Sequence, residues 1–324
     1  MDEQLQQLVE AHNTGRLSRR DFIRQAGLLL SGVAVVGISL GSASEHEEAA
    51  AQATPAPTLA ATISTGNTPM NIVTNMVTFK TKGPDAPGYL AYPDGAGPYP
   101  GVVVIQEWWG LNAEIREVCD LMAKNGFAAL APDLYRGEVA TEPNEAQKLA
   151  MNLIMDQAIA DIQGAADYLT QQSFVGPKKA GIMGFCFGGM IAMTMAWAGG
   201  DNIGAVVSFY GAGAKPTEDN FKNTKLPILG LYGDKDPNFT PQLLKTWQDK
   251  FKQYGKIYEV VTYPDAGHAF FNSTESSYRP ADAQDAFIRT LAWFNTYLLN
   301  QPNTTPTPAV TPPATQEPSA TQAQ

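Results

Sequence analysis

The chain has 324 residues, 44% of them hydrophobic and 17% charged, enough for one large domain with a sizeable core. Its formal net charge is −10 and its pI about 4.8, with no basic patch of the kind that nucleic-acid binding needs, so that class of partner is excluded. The two cysteines, Cys119 and Cys186, exclude a disulfide scaffold.

Residues 1–53 read as an address. Ser18-Arg19-Arg20-Asp21-Phe22-Ile23 precedes an apolar run from Ala26 to Leu40. Twin arginines before a moderately apolar stretch resemble a twin-arginine export signal. The run is short for a spanning helix, about 15 residues against roughly 20. Ala51-Gln52-Ala53 offers a small-x-small cleavage site, though an uncleaved anchor is the competing reading. Export across a bacterial cytoplasmic membrane, through the export machinery, is the expectation. Residues 54–70, rich in Thr, Ala and Pro, read as a linker. Residues 301–324 carry almost no large apolar side chain and are expected to be disordered.

One domain, 71–300, lies between. Asn71 to Lys82 and Gly88 to Tyr92 read as an opening hairpin. Gly101-Val102-Val103-Val104-Ile105 is a continuous apolar run, the pattern of a strand covered on both faces. Ile115 to Asn125 has helical periodicity and stops at Gly126. Phe127 to Ala131 is the next strand, followed by helical segments at 143–155 and 157–172. Ala180 to Met183 is a strand and Gly189 to Ala198 a helix. Gly204 to Tyr210 and Pro227 to Tyr232 are strands, Pro241 to Tyr254 a helix, Tyr258 to Tyr263 a strand, and Pro280 to Leu299 a long last helix. This alternation predicts an α/β fold, with a mainly parallel sheet and helices on both faces. Ligands on such sheets sit beyond the C-terminal strand ends.

The sharpest chemical signal is Gly184-Phe185-Cys186-Phe187-Gly188-Gly189, after a strand and opening a helix. It is a nucleophile-elbow pattern with Cys in place of Ser. Gly184 and Gly188 must be small because the turn is tight. The helix N-terminus favours a thiolate at Cys186, and the amide of Phe187 suits an oxyanion. The bland alternative is a buried, inert Cys. Of His12, His46 and His268, only His268 falls in the domain, after the strand ending at Tyr263. It is the expected base. Gly233-Asp234-Lys235-Asp236 follows the strand before, and the Gly-x-x-Asp spacing selects Asp236 as the acid, with Asp234 as a turn former. The chain order nucleophile, acid, base is that of α/β-hydrolases. Gln106-Glu107-Trp108-Trp109-Gly110 follows the Gly101–Ile105 strand, where the amide of Trp108 would supply a second oxyanion donor. Glu107 opposes a developing negative charge, so it reads either as a partner of the thiol or as a surface carboxylate.

At these residues the chain resembles the dienelactone hydrolase (carboxymethylenebutenolidase) family. The markers are Gln106 to Gly110, Ala131-Pro132-Asp133-Leu134-Tyr135, Gly184 to Gly189, Gly233 to Asp236, and Ala266-Gly267-His268-Ala269-Phe270-Phe271. The resemblance implies an α/β-hydrolase fold without a large lid, an ester or lactone as small-molecule substrate, and a cysteine nucleophile forming a thioester. No cofactor and no metal are expected, and a monomer is. It further implies that Glu107 deprotonates Cys186 once substrate binds. One departure stands out. The family's dienelactone-active members hold the substrate carboxylate with arginines, where this chain has Phe271-Asn272 and Glu142-Pro143-Asn144-Glu145. Arg136 and Arg279 are the candidate substitutes. Trp108, Trp109, Tyr135, Phe187, Phe270 and Phe271 suggest an apolar acyl or lactone pocket, some of them doubling as core. Two readings from other classes compete: a non-catalytic binding protein on the same fold, and a thiol redox protein using Cys119 with Cys186.

Overall fold

The computed structural model describes Leu59, Ile63, residues 68–211 and residues 213–299. The export signal and the C-terminal tail lie outside the described residues. Of the segment read as a linker, Leu59 and Ile63 are buried against the domain core. The Ile63 amide donates to the Leu59 carbonyl.

Eight strands form one sheet: β1 (Ile72–Phe79), β2 (Ala86–Pro93), β3 (Gly101–Ile105), β4 (Ala128–Pro132), β5 (Ala180–Phe185), β6 (Ile203–Phe209), β7 (Ile228–Gly233) and β8 (Tyr258–Tyr263). Their spatial order is β1-β2-β4-β3-β5-β6-β7-β8. The hairpin β1–β2 joins the sheet antiparallel to β4, and every later pairing is parallel. The helices are α1 (Ala113–Lys124), α2 (Pro143–Asn152), α3 (Met155–Gln171), α4 (Phe187–Ala198), α5 (Glu218–Asn223), α6 (Pro241–Gln253) and α7 (Pro280–Leu299). The expected elements are all present. The short α5 is additional; it is held by a capping box between Thr217 and Asn220, a signal readable in the sequence but too short to carry helical periodicity.

Strand alternation divides the core in two. Val102 and Val104 of β3, with Met183 and Phe185 of β5, face α1 and α7. Val103 and Ile105, with Ile182, face α3, α4 and α6. Both faces are covered, which is why these strands read as unbroken apolar runs. Helix ends follow local chemistry. The Asn112 side chain accepts the Ile115 amide to start α1, and Gly126 ends it at a φ of 90°.

The register fixes the site. Ile105 pairs with Gly184, Phe185 with Phe209, and Gly233 with Tyr263. Strands β3, β5, β6, β7 and β8 thus end together, and the loops after them share one rim.

Candidate active site

Cys186 occupies the turn between β5 and α4, with φ 51° and ψ −114°. Such a backbone is strained for a non-glycine residue, at a cost on the order of 1–3 kcal/mol, and it persists only where its surroundings hold it. Here its amide donates to the Phe209 carbonyl at 3.1 Å. A Cβ on Gly184 would collide with the backbone of Gly188, and one on Gly188 with the carbonyls of Ile105 and Gln106. The two glycines are therefore required sterically, as the motif predicts. The turn leaves Cys186 partly exposed at the N-terminus of α4. Phe187 is the first residue of that helix, so its amide has no partner within the helix.

The imidazole of His268 reaches this sulfur from the loop after β8. Its Nδ1 is 2.7 Å from Asp236 Oδ2, which leaves Nε2 free to serve Cys186, whose sulfur lies close enough to bear on the imidazole. Asp236 is 2% exposed. Its Oδ1 accepts from the Asn238 amide at 3.0 Å and from Asn238 Nδ2 at 2.8 Å. The carboxylate is thus fixed on both oxygens. Asp234 instead accepts the Asp265 amide at 2.7 Å and holds the turn. Burial disfavours the imidazolium of His268, but Asp236 and the Cys186 sulfur outweigh it and raise its pKa well above the ordinary value. The proton-bearing imidazole is the favoured resting form.

Glu107 is buried behind the same rim, 4% exposed. Tyr210 Oη donates to its Oε1 at 3.3 Å, and Asn272 Nδ2 to its Oε2 at 2.8 Å. The Asn272 amide has one orientation, because its Oδ1 accepts from the Thr274 amide and hydroxyl. Burial pushes the Glu107 carboxyl up to about 7, against the lowering hydrogen bond from Asn272; Glu275 nearby adds to the rise. Tyr210 had no place in the sequence-based site. Its ring meets the His268 ring edge-on at 5.1 Å, and its φ is 38°. The available signal was position: it directly follows β6, at the strand end where ligands gather.

The remaining expected pocket residues divide. Trp108 is partly exposed and packs edge-on against Trp109 at 5.1 Å. Trp109 is buried with Ala146 of α2 and anchors that helix over the site loop. Tyr135 is buried beside Gly110, in the loop after β4. Phe187 is partly exposed at the elbow. Phe270 and Phe271 are core, a correction to their reading as pocket lining. Phe271 stacks among Phe185, Phe209 and Phe287, and Phe270 against Tyr263 and Tyr210.

Neither candidate arginine serves as a carboxylate clamp. Arg136 donates to Asp161 Oδ1 at 2.9 Å, lies 2.7 Å from its Oδ2, and also donates to the Asp133 carbonyl. Arg279 pairs with Asp282. Arg116 lies over the Tyr89 ring and Arg289 pairs with Asp285. Every arginine among the described residues is thus engaged elsewhere. Cys119 lies fully buried in α1, and burial pushes its thiol well up; this environment suits a core residue, not an exchanging thiol. Among the described residues, no group of His, Cys, Asp and Glu is arranged to hold a metal.

A mainly parallel sheet with Cys, Asp and His behind β5, β7 and β8 defines an α/β-hydrolase. The comparisons narrow the class. The dienelactone hydrolase family model matches residues 86–298, and the chain belongs to that family. "Protein usf" of Aquifex pyrophilus is 38% identical over 230 residues, 69% of this chain and 98% of that one. A "Putative carboxymethylenebutenolidase" of Aquifex aeolicus is 35% identical over 235 residues, 69% of this chain and 98% of the relative. A crystal structure described as a "Putative Dienelactone Hydrolase" from Klebsiella pneumoniae superposes with a TM-score of 0.64. It is 31% identical and covers 70% of this chain and all of its own.

Proposed function

We propose that this ester or lactone hydrolase works through Cys186 as nucleophile, with a thioester intermediate, on substrates that carry no carboxylate. The observation that carries the reading is the His268 imidazole, held by Asp236 at 2.7 Å and close enough to the Cys186 sulfur to feel it. Nucleophile, base and orienting acid stand in reach of one another, as nucleophilic catalysis requires.

In acylation the Cys186 S–H bond breaks and its proton passes to Glu107. At rest the Glu107 oxygens are engaged by Tyr210 and Asn272, so arriving substrate has to disturb that arrangement before the carboxylate accepts the proton. The sulfur forms a bond to the carbonyl carbon, and the carbonyl oxygen takes the electron pair. On this reading the amides of Trp108 and Phe187 stabilise that oxyanion. Collapse breaks the carbon–oxygen bond to the leaving group, whose oxygen takes the proton from His268 Nε2. The neutral imidazole then removes a proton from water. Hydroxide attacks the thioester, the carbon–sulfur bond breaks, and Glu107 returns its proton to the thiolate.

The substrate class follows from charge. Glu107, Glu114, Glu275 and Asp236 bear on this rim, while among the described residues Arg136, Arg279 and Arg289 are each paired with another carboxylate. A substrate carboxylate would meet repulsion without a charge-assisted clamp. Neutral esters and lactones with good leaving groups fit better. Delivery by the leader at residues 1–53 to a compartment outside the cytoplasmic membrane is part of the same reading.

The test is mass spectrometry of wild-type protein quenched during turnover of an activated ester, beside Cys186→Ala and Cys186→Ser. One acyl group on Cys186, absent from Cys186→Ala, is the expected result. A Cys186→Ala protein as active as wild type ends the proposal.

A further inference from the structure

Two buried polar atoms at this rim remain without partners. Gln106 is 1% exposed, and its Oε1 accepts the Leu134 amide at 3.3 Å, yet its Nε2 meets no hydrogen-bond acceptor at normal geometry. The Tyr135 hydroxyl, also buried, has that same Gln106 amide as its neighbouring donor, and its own proton meets no acceptor at normal geometry. A buried polar group left unmatched costs on the order of 1–3 kcal/mol. Such groups are few in folded proteins, and each calls for an explanation.

Their placement supplies one. Gln106 follows β3, Tyr135 follows β4 and Cys186 follows β5. These strands are immediate neighbours in the order β4-β3-β5. The Gln106 amide lies against the Tyr135 hydroxyl, and Cys186 is near enough to bear on that hydroxyl, so the three side chains share one neighbourhood. The loop beneath is rigid. Asp133 accepts the amides of Tyr135 and Gly137 at 3.1 and 2.6 Å, and Tyr135 packs on Gly110 of the Glu107 loop. Burial holds the phenol well above its ordinary pKa, so it stays a donor at any working pH.

The geometry points to Tyr135 as a specificity-determining residue whose hydroxyl, backed by the Gln106 amide, donates a hydrogen bond to an uncharged oxygen in the acyl part of the substrate. This rests on the cysteine-hydrolase reading above. The side of the site decides between acyl and leaving group. His268 delivers its proton from the β8 side, so the leaving oxygen must lie there. The other substituent of the carbonyl carbon is then turned towards β3 and β4, where Tyr135 stands. Both donors are neutral, which matches an ether, hydroxyl or carbonyl oxygen better than a carboxylate. A site built to hydrogen-bond such an oxygen discriminates against the analogue that lacks it, because its own buried donor is left unpaired.

The experiment compares para-nitrophenyl methoxyacetate with para-nitrophenyl butanoate, whose acyl chains have equal length and differ by oxygen for methylene. Each kcat/KM is divided by the ester's rate of alkaline hydrolysis, which removes the inductive effect of the ether. Wild type is expected to prefer the methoxyacetate by about tenfold, and Tyr135→Phe to lose most of that preference. A corrected wild-type preference within twofold of unity overturns the proposal, whether or not the variant folds. So does a Tyr135→Phe protein that keeps the wild-type preference while both rates fall together. The underlying reading is judged separately, by the acyl-enzyme mass on Cys186 with the butanoate. Absence of that mass removes the cysteine, while the ratio still rules on Tyr135.

Discussion

Two carboxylates in this site are equally buried and chemically opposite. Asp236 accepts from a backbone amide, a side-chain amide and a proton-bearing imidazole. Glu107 accepts from a phenol and a neutral amide, and burial pushes it up to about 7. The difference teaches that equal burial does not give two carboxylates one role; the donors around each one set what it is held to do. Asp236 is held fixed on both oxygens, whereas the Glu107 carboxyl sits near neutrality. In the proposed mechanism one orients a base and the other serves a thiol.

Substitutions sharpen this contrast. The largest effect concerns the group both carboxylates serve. Cys186→Ala should lower kcat/KM by about 10⁴-fold or more, measured on an activated ester, because a nucleophile removed from a concerted set leaves only binding and oxyanion stabilisation. Asp236→Asn comes next, at roughly 10³- to 10⁴-fold, since an amide in its place presents the wrong partner to His268 Nδ1. Steady-state rates near wild type for this variant would mean that the imidazole is held by other contacts.

Glu107→Gln should slow the acylation burst by about 10²-fold, the usual reach of a positioned proton acceptor. It should also abolish the acid limb of the kcat/KM profile. That limb lies near pH 7 in wild type, because Glu107 accepts the thiol proton only when ionised and its carboxyl sits at about 7. A limb that persists unchanged in Glu107→Gln assigns it to another group. Tyr210→Phe is milder. It removes one donor from the ionised carboxylate, which raises the Glu107 pKa further and moves the limb upward in pH, with a severalfold loss at pH 7. The pH at half-maximal kcat/KM is the readout.

The smallest effect is on stability, and it has a sign. The unfolded chain releases the Glu107 proton near the ordinary 4.5, the folded chain near 7. Protonated Glu107 therefore favours the fold at low pH. That contribution is lost as pH rises through this window, by about 3 kcal/mol at full ionisation. Glu107→Gln should melt like wild type at pH 4 and several degrees higher at pH 8, by thermal denaturation. Equal melting shifts at both values mean that the carboxylate is not the source.

Much of this was legible in the chain. Strands covered on both faces must be apolar throughout, so β3 and β4 to β7 announced themselves, and the parallel sheet with them. A tight elbow admits only glycine at its flanks, so Gly184 and Gly188 mark Cys186 in the sequence itself. His268 and Asp236 followed from their places after successive strands. These features are local, or ordered along the chain, and local sterics and hydrophobic periodicity write them into the sequence.

Only the tertiary structure decided the rest. Tyr210 and Asn272 converge on Glu107 from 103 and 165 residues away, and no periodicity encodes such a meeting. Arg136 resembled a substrate clamp until Asp161 of α3 was found to hold it. Phe270 and Phe271 resembled pocket lining until packing drew them into the core. Hydrogen bonds and charge pairs act over a few ångströms in space, whatever the distance along the chain. The sequence determined which strand ends would carry chemistry; the fold determined which partners each group meets there, and hence its charge.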